Sequence, residues 1–396
     1  MSFRRIEDAP PNKTALVRVD FNVPMADGAV SDDTRLRTAL PTIKALTAKG
    51  CKVALLAHFD RPKGKRVPSM SLQPIVAPLA ALIEAPVAFA EDCIGEQAAT
   101  AITSLPAGGV LLLENTRFHA GEESNDAALV TELAKLGDFY VNDAFSAAHR
   151  AHASTEGLAH ALPAYAGKAM EAELDALDAA LGNPRRPVLG IVGGSKVSTK
   201  IDLLKNLVTK LDKLAIGGAM ANTFLFAQGW DVGASYCEKD LAETAREIMK
   251  LAGKHKCELL LPIDTIVAEK LDARAPAFVR GLGDIDDDER ILDAGPETIA
   301  RLTKAMDESN TLIWNGPLGV FETPPFDHGT VAAARHAAAR AKNGKLIAVA
   351  GGGDTVAALN HAGVADDMTF VSTAGGAFLE WMEGKPLPGV EALKLR

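Results

Sequence analysis

Val188-Leu189-Gly190-Ile191-Val192-Gly193-Gly194-Ser195-Lys196-Val197-Ser198-Thr199-Lys200 runs from an apolar stretch through a glycine pair to two lysines. Ile201, Leu204, Leu207, Val208 and Leu211 follow at helical spacing. A buried strand that passes through a glycine turn into a helix is half of a βαβ unit. The same order recurs downstream. Apolar runs at Lys213 to Ile216, Glu258 to Leu261, Thr311 to Trp314, Lys345 to Ala350 and Thr369 to Ser372 read as strands. Several end in glycine turns: Gly217-Gly218, Asn315-Gly316-Pro317, Gly351-Gly352-Gly353-Asp354-Thr355 and Gly375-Gly376.

The first half of the chain has the same alternation with different chemistry. Thr14 to Val19, Lys52 to Ala57, Val110 to Leu113 and Phe139 to Val141 read as strands, with helical periodicity at Thr38 to Lys49, Leu72 to Ile83 and Asp126 to Leu136. Strands alternating with helices predict a mainly parallel sheet whose ligands bind beyond the carboxyl ends of the strands. Arginine and histidine motifs stand at those ends: Arg18-Val19-Asp20-Phe21-Asn22, His58-Phe59-Asp60-Arg61, Arg117-Phe118-His119 and His149-Arg150-Ala151-His152, with Arg35 after the first. Arginine offers a planar, permanently charged fork that fits carboxylate and phosphate, whereas glycine turns present backbone N–H groups to phosphate. The segregation predicts two anionic ligands, a small multiply charged acid in the first half and a nucleotide in the second.

With 396 residues the chain exceeds one hydrophobic core, and two domains of roughly 150 to 200 residues are expected. Glu171 to Leu181 is rich in Ala, Leu, Glu and Asp and is stopped by Gly182-Asn183-Pro184, which predicts a helical connector between them. The expected fold class is α/β, two lobes, each a mainly parallel doubly wound sheet with flanking helices. A net charge of −9, from 42 basic and 51 acidic residues, argues against nucleic acid or an anionic membrane as partner. No stretch approaches the roughly 18 apolar residues of a membrane span, and no secretory signal is visible, so a cytoplasmic location is expected. Cys51, Cys93, Cys237 and Cys257 lack metal or disulfide spacing.

Each motif also has a plainer explanation. A solvated strand-to-helix turn accounts for Gly193 to Lys200 equally well, although Lys200 in a first helical turn is disfavoured unless an anion compensates it. The segment is neither a Walker A loop nor a dinucleotide fingerprint. Asp354 and Thr355 can cap the helix at Val356 to Asn360, but three glycines before them argue for a ligand's close approach, and a carboxylate beside phosphates for Mg²⁺. Arg35 can serve a surface ion pair, His119 a solvated loop with Glu122 and Glu123, and the acidic run Asp284 to Arg290 mere solvation.

Taken together, these residues resemble one family, the phosphoglycerate kinases. The matching segments are Arg18 to Pro24, Leu112 to Phe118, Asn142 to Ser154, Gly193 to Lys200, Trp314 to Glu322, Gly351 to Thr355, and Ser372 to Gly376 with Leu387 to Val390, in the family's order. The resemblance implies reversible phosphoryl transfer from 1,3-bisphosphoglycerate to Mg-ADP, giving 3-phosphoglycerate and ATP, by a monomer whose lobes close. It implies a phosphoglycerate-binding domain at 1–170, a connector at 171–186, a nucleotide-binding domain at 187–383, and a tail, 384–396, that packs back on the first. By the same carry-over, Asp20, Phe21, Asn22, Arg35, His58, Phe59, Asp60, Arg61, Arg117 and Arg150 hold the acid. Lys196, Lys200, Gly217, Asn315, Glu322, Gly352, Gly353, Asp354 and Thr355 serve the nucleotide, with Asp354 at Mg²⁺ and Arg35, Lys196 and Lys200 catalytic. The chain departs from the family at Phe59-Asp60, Ser146-Ala147 and Ala374, losing no charged group.

A nucleotide-dependent dehydrogenase would need the missing glycine fingerprint and its ribose-binding acid. A non-catalytic sensor would be expected to have lost one of the two charge clusters.

Overall fold

The computed structural model describes residues 2–395. They form two compact units: one runs to Asp175 and takes in the residues from Pro386 onward, the other is Ala176–Lys385.

In the first unit six strands pair in the order Val87–Ala90, Val110–Leu113, Lys52–Leu56, Thr14–Arg18, Phe139–Asn142, Ala164–Ala166. Every pairing is parallel. Because side chains alternate across a strand, a sheet covered on both faces needs apolar residues at every position. Thr14–Arg18 shows this: Ala15 and Val17 join a core with Leu36, Ile43, Val53 and Leu55, while Leu16 faces the opposite core with Ala54, Leu111, Leu129 and Leu133. The helices Thr34–Ala48, Val76–Ile83, Gly95–Ser104 and Ala127–Ala134 cover these faces, the last capped by Asp126, which accepts from Ala128 N and Leu129 N. The final segment packs within this unit, with Gly389 N donating to Ala148 O.

Helix Lys168–Leu177 contains the change from one unit to the next. Its start is held by buried Asp143, whose Oδ1 accepts from Ala169 N (2.9 Å), and by Thr42 Oγ1, which accepts from Lys168 N (2.7 Å). Burial pushes the Asp143 carboxyl up to about 7.

The second unit repeats the design in the order Glu258–Leu260, Lys213–Ile216, Val188–Val192, Thr311–Asn315, Ile347–Gly351, Phe370–Ser372, again all parallel. Leu189, Ile191, Leu312, Trp314 and Ala348 form one core with Met306 and Leu302 of helix Pro296–Asp307 and Ala333, Ala334, Ala337 and Ala338 of helix His328–Lys342. A three-stranded antiparallel sheet, Phe278–Gly281, Asp264–Ala268 and Arg290–Ala294, was not foreseen from the sequence. The acidic run leading into its last strand is also more than a solvated loop. Glu289 is buried and accepts from Arg280 through both Nε and Nη2, which holds its carboxyl below the usual range.

Candidate active site

Since its strands are parallel, the first unit's charged loops leave the sheet at one edge. Four carry the arginine and histidine motifs, after Thr14–Arg18, Lys52–Leu56, Val110–Leu113 and Phe139–Asn142. They are laced together by hydrogen bonds. Arg35 Nη1 donates to Asp20 Oδ1 (3.0 Å) and Asn22 O (2.7 Å), and Ser146 Oγ donates to Asp20 Oδ2. Asn22 Oδ1 accepts from Asp60 N (2.9 Å), while Asp60 O accepts from Arg117 Nη1 (2.8 Å). Asn115 fixes the second loop, accepting from Phe59 N (3.1 Å) and donating to Phe59 O (2.7 Å). Asp20, Asn22, Arg35, Asp60 and Arg117 therefore form one connected rim.

The remaining first-unit residues take different positions. His58 is buried beside Arg18, Arg150 is half-buried with Nε donating to His149 Nε2 (3.1 Å), and Arg61 is exposed on its loop. Phe21 lies fully in the core, so any approach of its own to a ligand is through backbone, and the partly buried Phe59 packs against that core. Arg117 is 4% exposed, paired to Glu123 (3.2 Å), and burial lowers its pKa.

The site residues assigned from the sequence left out three members: Arg18, although it heads the first arginine motif, Ser154 and Glu122, each fully buried. Glu122 is no part of a solvated loop; it accepts from Thr116 Oγ1, Ser154 N and Ser154 Oγ. Nothing in the sequence distinguishes Glu122 from its neighbour Glu123; the available signal was an acidic pair shortly after the arginine motif, with a Ser in the following small-residue loop. His119 turns elsewhere and donates through Nε2 to Asp92 Oδ1 (2.7 Å). Asp92, Cys93 and His119 have ligand-type atoms within 4.8 Å of one another, but that bond already engages the histidine nitrogen and the carboxylate.

Asp60 stands where the resemblance leads one to expect glycine, and its φ of 52° is left-handed. That conformation costs a non-glycine residue roughly 1–2 kcal/mol, less for Asp and Asn. Both bonds from this residue to the rim are main-chain bonds. Asp60→Gly therefore should keep kcat/KM within about twofold, as for a surface change, with stability equal or slightly higher. A change in KM for the acid of tenfold or so would show that the carboxylate itself takes part.

In the second unit the strand-end turns pack on one another, and this is what requires two of the glycines. A Cβ on Gly193 would lie 1.8 Å from Pro317 O, and one on Gly218 (φ +66°) 2.5 Å from Gly194 O. Gly217 is similarly closed off by Leu318. Gly353 has nothing within 4 Å of its virtual Cβ, so packing does not explain the glycine there.

Lys200 lies just before helix Ile201–Leu207, at the cap and not in the first turn. Its Nζ donates to Gly193 O (2.7 Å) and Asn315 Oδ1 (2.6 Å). Burial lowers its pKa to about 8, against the opposing pull of Asp354. Asn315 Nδ2 in turn donates to Gly351 O (2.8 Å), and Thr355 Oγ1 donates to Gly351 O (2.8 Å) while accepting from Gly316 N (2.7 Å). Asn315 and Thr355 thus join neighbouring turns. Gly352, with φ +98°, occupies the cap of helix Gly353–His361, which has no side-chain cap bond. The capping explanation of Asp354 and Thr355 therefore falls, leaving Asp354 exposed in the first turn.

Asp354 and Glu322 line a cleft of ≈ 400 Å³ with Gly194 and Gly218 and the apolar walls Leu271 and Leu292. The volume is typical of small-molecule sites, about 300–1,000 Å³. Lys196 is exposed on the turn beside Ser195, itself a lining residue.

The chain is similar to known proteins over its length. The phosphoglycerate kinase family pattern matches residues 6–385. A phosphoglycerate kinase of Caulobacter vibrioides (strain NA1000 / CB15N) is 69% identical over 395 residues, covering 100% of both chains. One from Rhodopseudomonas palustris (strain ATCC BAA-98 / CGA009) is 62% identical over 396 residues, covering 100% of this chain and 99% of its own. Among solved structures, phosphoglycerate kinase from Coxiella burnetii superposes with a TM-score of 0.93 at 41% identity, covering 99% of each chain. That from Pyrococcus horikoshii OT3 gives 0.80 at 31%, covering 99% of this chain and 98% of the other. With its sequence matched end to end and both parallel-sheet units in place, the chain belongs to the phosphoglycerate kinase family.

Proposed function

We propose that the arginine-bearing loops of the first unit hold the phosphoglycerate and that the glycine turns of the second hold the nucleotide. The reaction is the family's own, a glycolytic phosphoryl transfer: the acyl phosphate of 1,3-bisphosphoglycerate passes reversibly to ADP, giving 3-phosphoglycerate and ATP. The observation that carries the division of labour is the rim Arg35–Asp20–Asn22–Asp60–Arg117, which gathers cationic forks at one sheet edge.

Phosphoryl transfer asks mainly for positioning and for neutralisation of charge on the transferred group. Arg117 and Arg150, with Arg61 on the adjoining loop, supply charge for the acid's phosphate and carboxylate, and His58 a hydrogen bond. Arg35 faces the reacting group, using Nη1 to stay bound to Asp20 and Asn22 and keeping the rest of its fork for the phosphoryl oxygens. From the second unit Lys196 and Lys200 neutralise the same charge. The acceptor, an anionic phosphate, needs no general base, and no covalent intermediate is required. Because the two ligands belong to different units, the units must bring them together for transfer.

Asp354, exposed in the first turn next to Gly353, would hold Mg²⁺ at the nucleotide's phosphates. The ion would add charge neutralisation to that of the lysines. Both half-sites are within one chain, which supports a monomer, and the small soluble substrates support action in the cytoplasm. Among the described residues no helix is long and apolar enough to cross a membrane.

The test is ATP formation from 1,3-bisphosphoglycerate and ADP at limiting Mg²⁺. Asp354 makes no cap bond, so Asp354→Asn should fold normally and lose turnover sharply, on the order of tenfold or more for a contact to a charged group. Wild-type turnover at limiting Mg²⁺ would remove the metal role.

A further inference from the structure

Arg18 ends its strand as a fully buried cation, and each of its three nitrogens has a partner. Nε donates to Ser154 Oγ (2.8 Å), Nη1 to Val19 O, and Nη2 lies 2.8 Å from His58 Nδ1. A guanidinium has five N–H donors and no lone pair to offer. The nitrogen facing it must therefore accept, so His58 Nδ1 carries no proton and the ring's proton is on Nε2. The same logic fixes the direction of the relay behind Arg18. Ser154 Oγ gives its lone pair to Nε and its hydrogen to Glu122 Oε1. Glu122, fully buried, is thus the counter-charge of Arg18 at one hydroxyl's remove.

We propose that Arg18, held by the Ser154–Glu122 relay, is a positioning residue that fixes His58 as the neutral tautomer protonated on Nε2. The acid's half-site then presents a hydrogen-bond donor at this point and no titrating charge. The inference rests on the reading of the first unit as the acid's site.

The surroundings favour the same state. The charged and titratable groups facing His58 are Arg18 from its strand, Arg117 from the turn Thr116–Phe118, and Arg150 and His152 from the loop after Phe139–Asn142. All are basic, so a second proton on the ring would meet cations from three elements. Burial, then these cations, hold His58 well below the ordinary imidazole range. The consequence is that the acid's charge is met by arginines, which do not titrate, and its binding draws no proton onto His58.

The experiment is long-range ¹H–¹⁵N correlation on the full chain labelled at histidine, from about pH 5.5 to 8, where an ordinary histidine titrates. His58 should show one bare and one protonated nitrogen throughout, assigned to Nδ1 and Nε2. A protonated Nδ1, or a ring that becomes doubly protonated within this range, would overturn the proposal. Ser154→Ala cuts the relay, so His58 should show mixed tautomers or begin to titrate, and KM for 3-phosphoglycerate should rise more than kcat falls. If the variant loses only thermal stability while the His58 spectrum stays unchanged, the relay has no positioning role. Adding 3-phosphoglycerate to the wild type should shift the Nε2–H resonance without changing its protonation. A bare Nδ1 with an unresponsive Nε2–H would overturn the placement of the acid and leave the tautomer assignment standing.

Discussion

Arg35→Ala is expected to lower kcat by about a thousandfold, the scale at which a charge-stabilising arginine contributes to phosphoryl transfer. Asp20 Oδ1 and Asn22 O both bind Nη1, so the guanidinium is fixed at one corner and presents its other donors as a preset fork. Its partners are polar groups of the same rim, so removing it leaves no buried cavity; Arg35 is 38% exposed. The loss should consequently fall on the chemical step and not on folding. An interaction made mainly in the transition state lowers kcat, whereas uniform binding raises KM alone. Arg35→Lys should recover little, because a point charge cannot reproduce two parallel hydrogen bonds. Steady-state kinetics of both variants beside Arg117→Ala separate the roles. If Arg35→Ala changes only KM for 3-phosphoglycerate, Arg35 is an anchor.

Lys200→Met should cost on the order of a hundredfold or more in kcat, the effect of removing one preorganised donor from a developing negative charge. It should also remove a pH limb. With its pKa lowered to about 8 by burial, Lys200 in the ligand-free protein loses its proton as pH rises through that value. The charged form is the one that meets phosphate, so kcat/KM for the nucleotide, which reports the free protein, should fall above about pH 8. Phosphate oxygens favour the charged form, so nucleotide binding between about pH 8 and 9 should take up a proton, measurable by calorimetry in buffers of different ionisation enthalpy. A wild-type profile flat to about pH 10, or a falling limb retained in Lys200→Met, would assign the effect elsewhere.

Much of this architecture was legible because buried parallel strands advertise themselves. Val110–Leu113 and Val188–Val192 are unbroken apolar runs, Lys213–Ile216 is one after its first residue, and all three were bounded correctly. The antiparallel strands were not, since Phe278 and Val279 are about half exposed and stand between Pro276 and Gly281, in a run too short to show clean alternation. At the site, charge placement after strands was readable, but burial was not. Glu122 looked like one of several acidic loop residues, and only the fold shows it sealed behind Ser154 and Arg18. Likewise, Asp354 had the composition of a helix cap, yet Gly352 takes that position. Phe21, within the motif that carries Asp20 and Asn22, belongs to the core, as does Val19.

The most direct test of the central claim is a crossed binding experiment by calorimetry. 3-Phosphoglycerate and Mg-ADP are titrated separately into the wild type, Arg117→Ala and Lys196→Ala. Arg117→Ala should weaken the acid by about tenfold or more, the worth of a charge-assisted contact, and leave the nucleotide within about twofold. Lys196→Ala should do the reverse. If either substitution weakens both ligands alike, the acid and the nucleotide are not held by separate units, and the account fails.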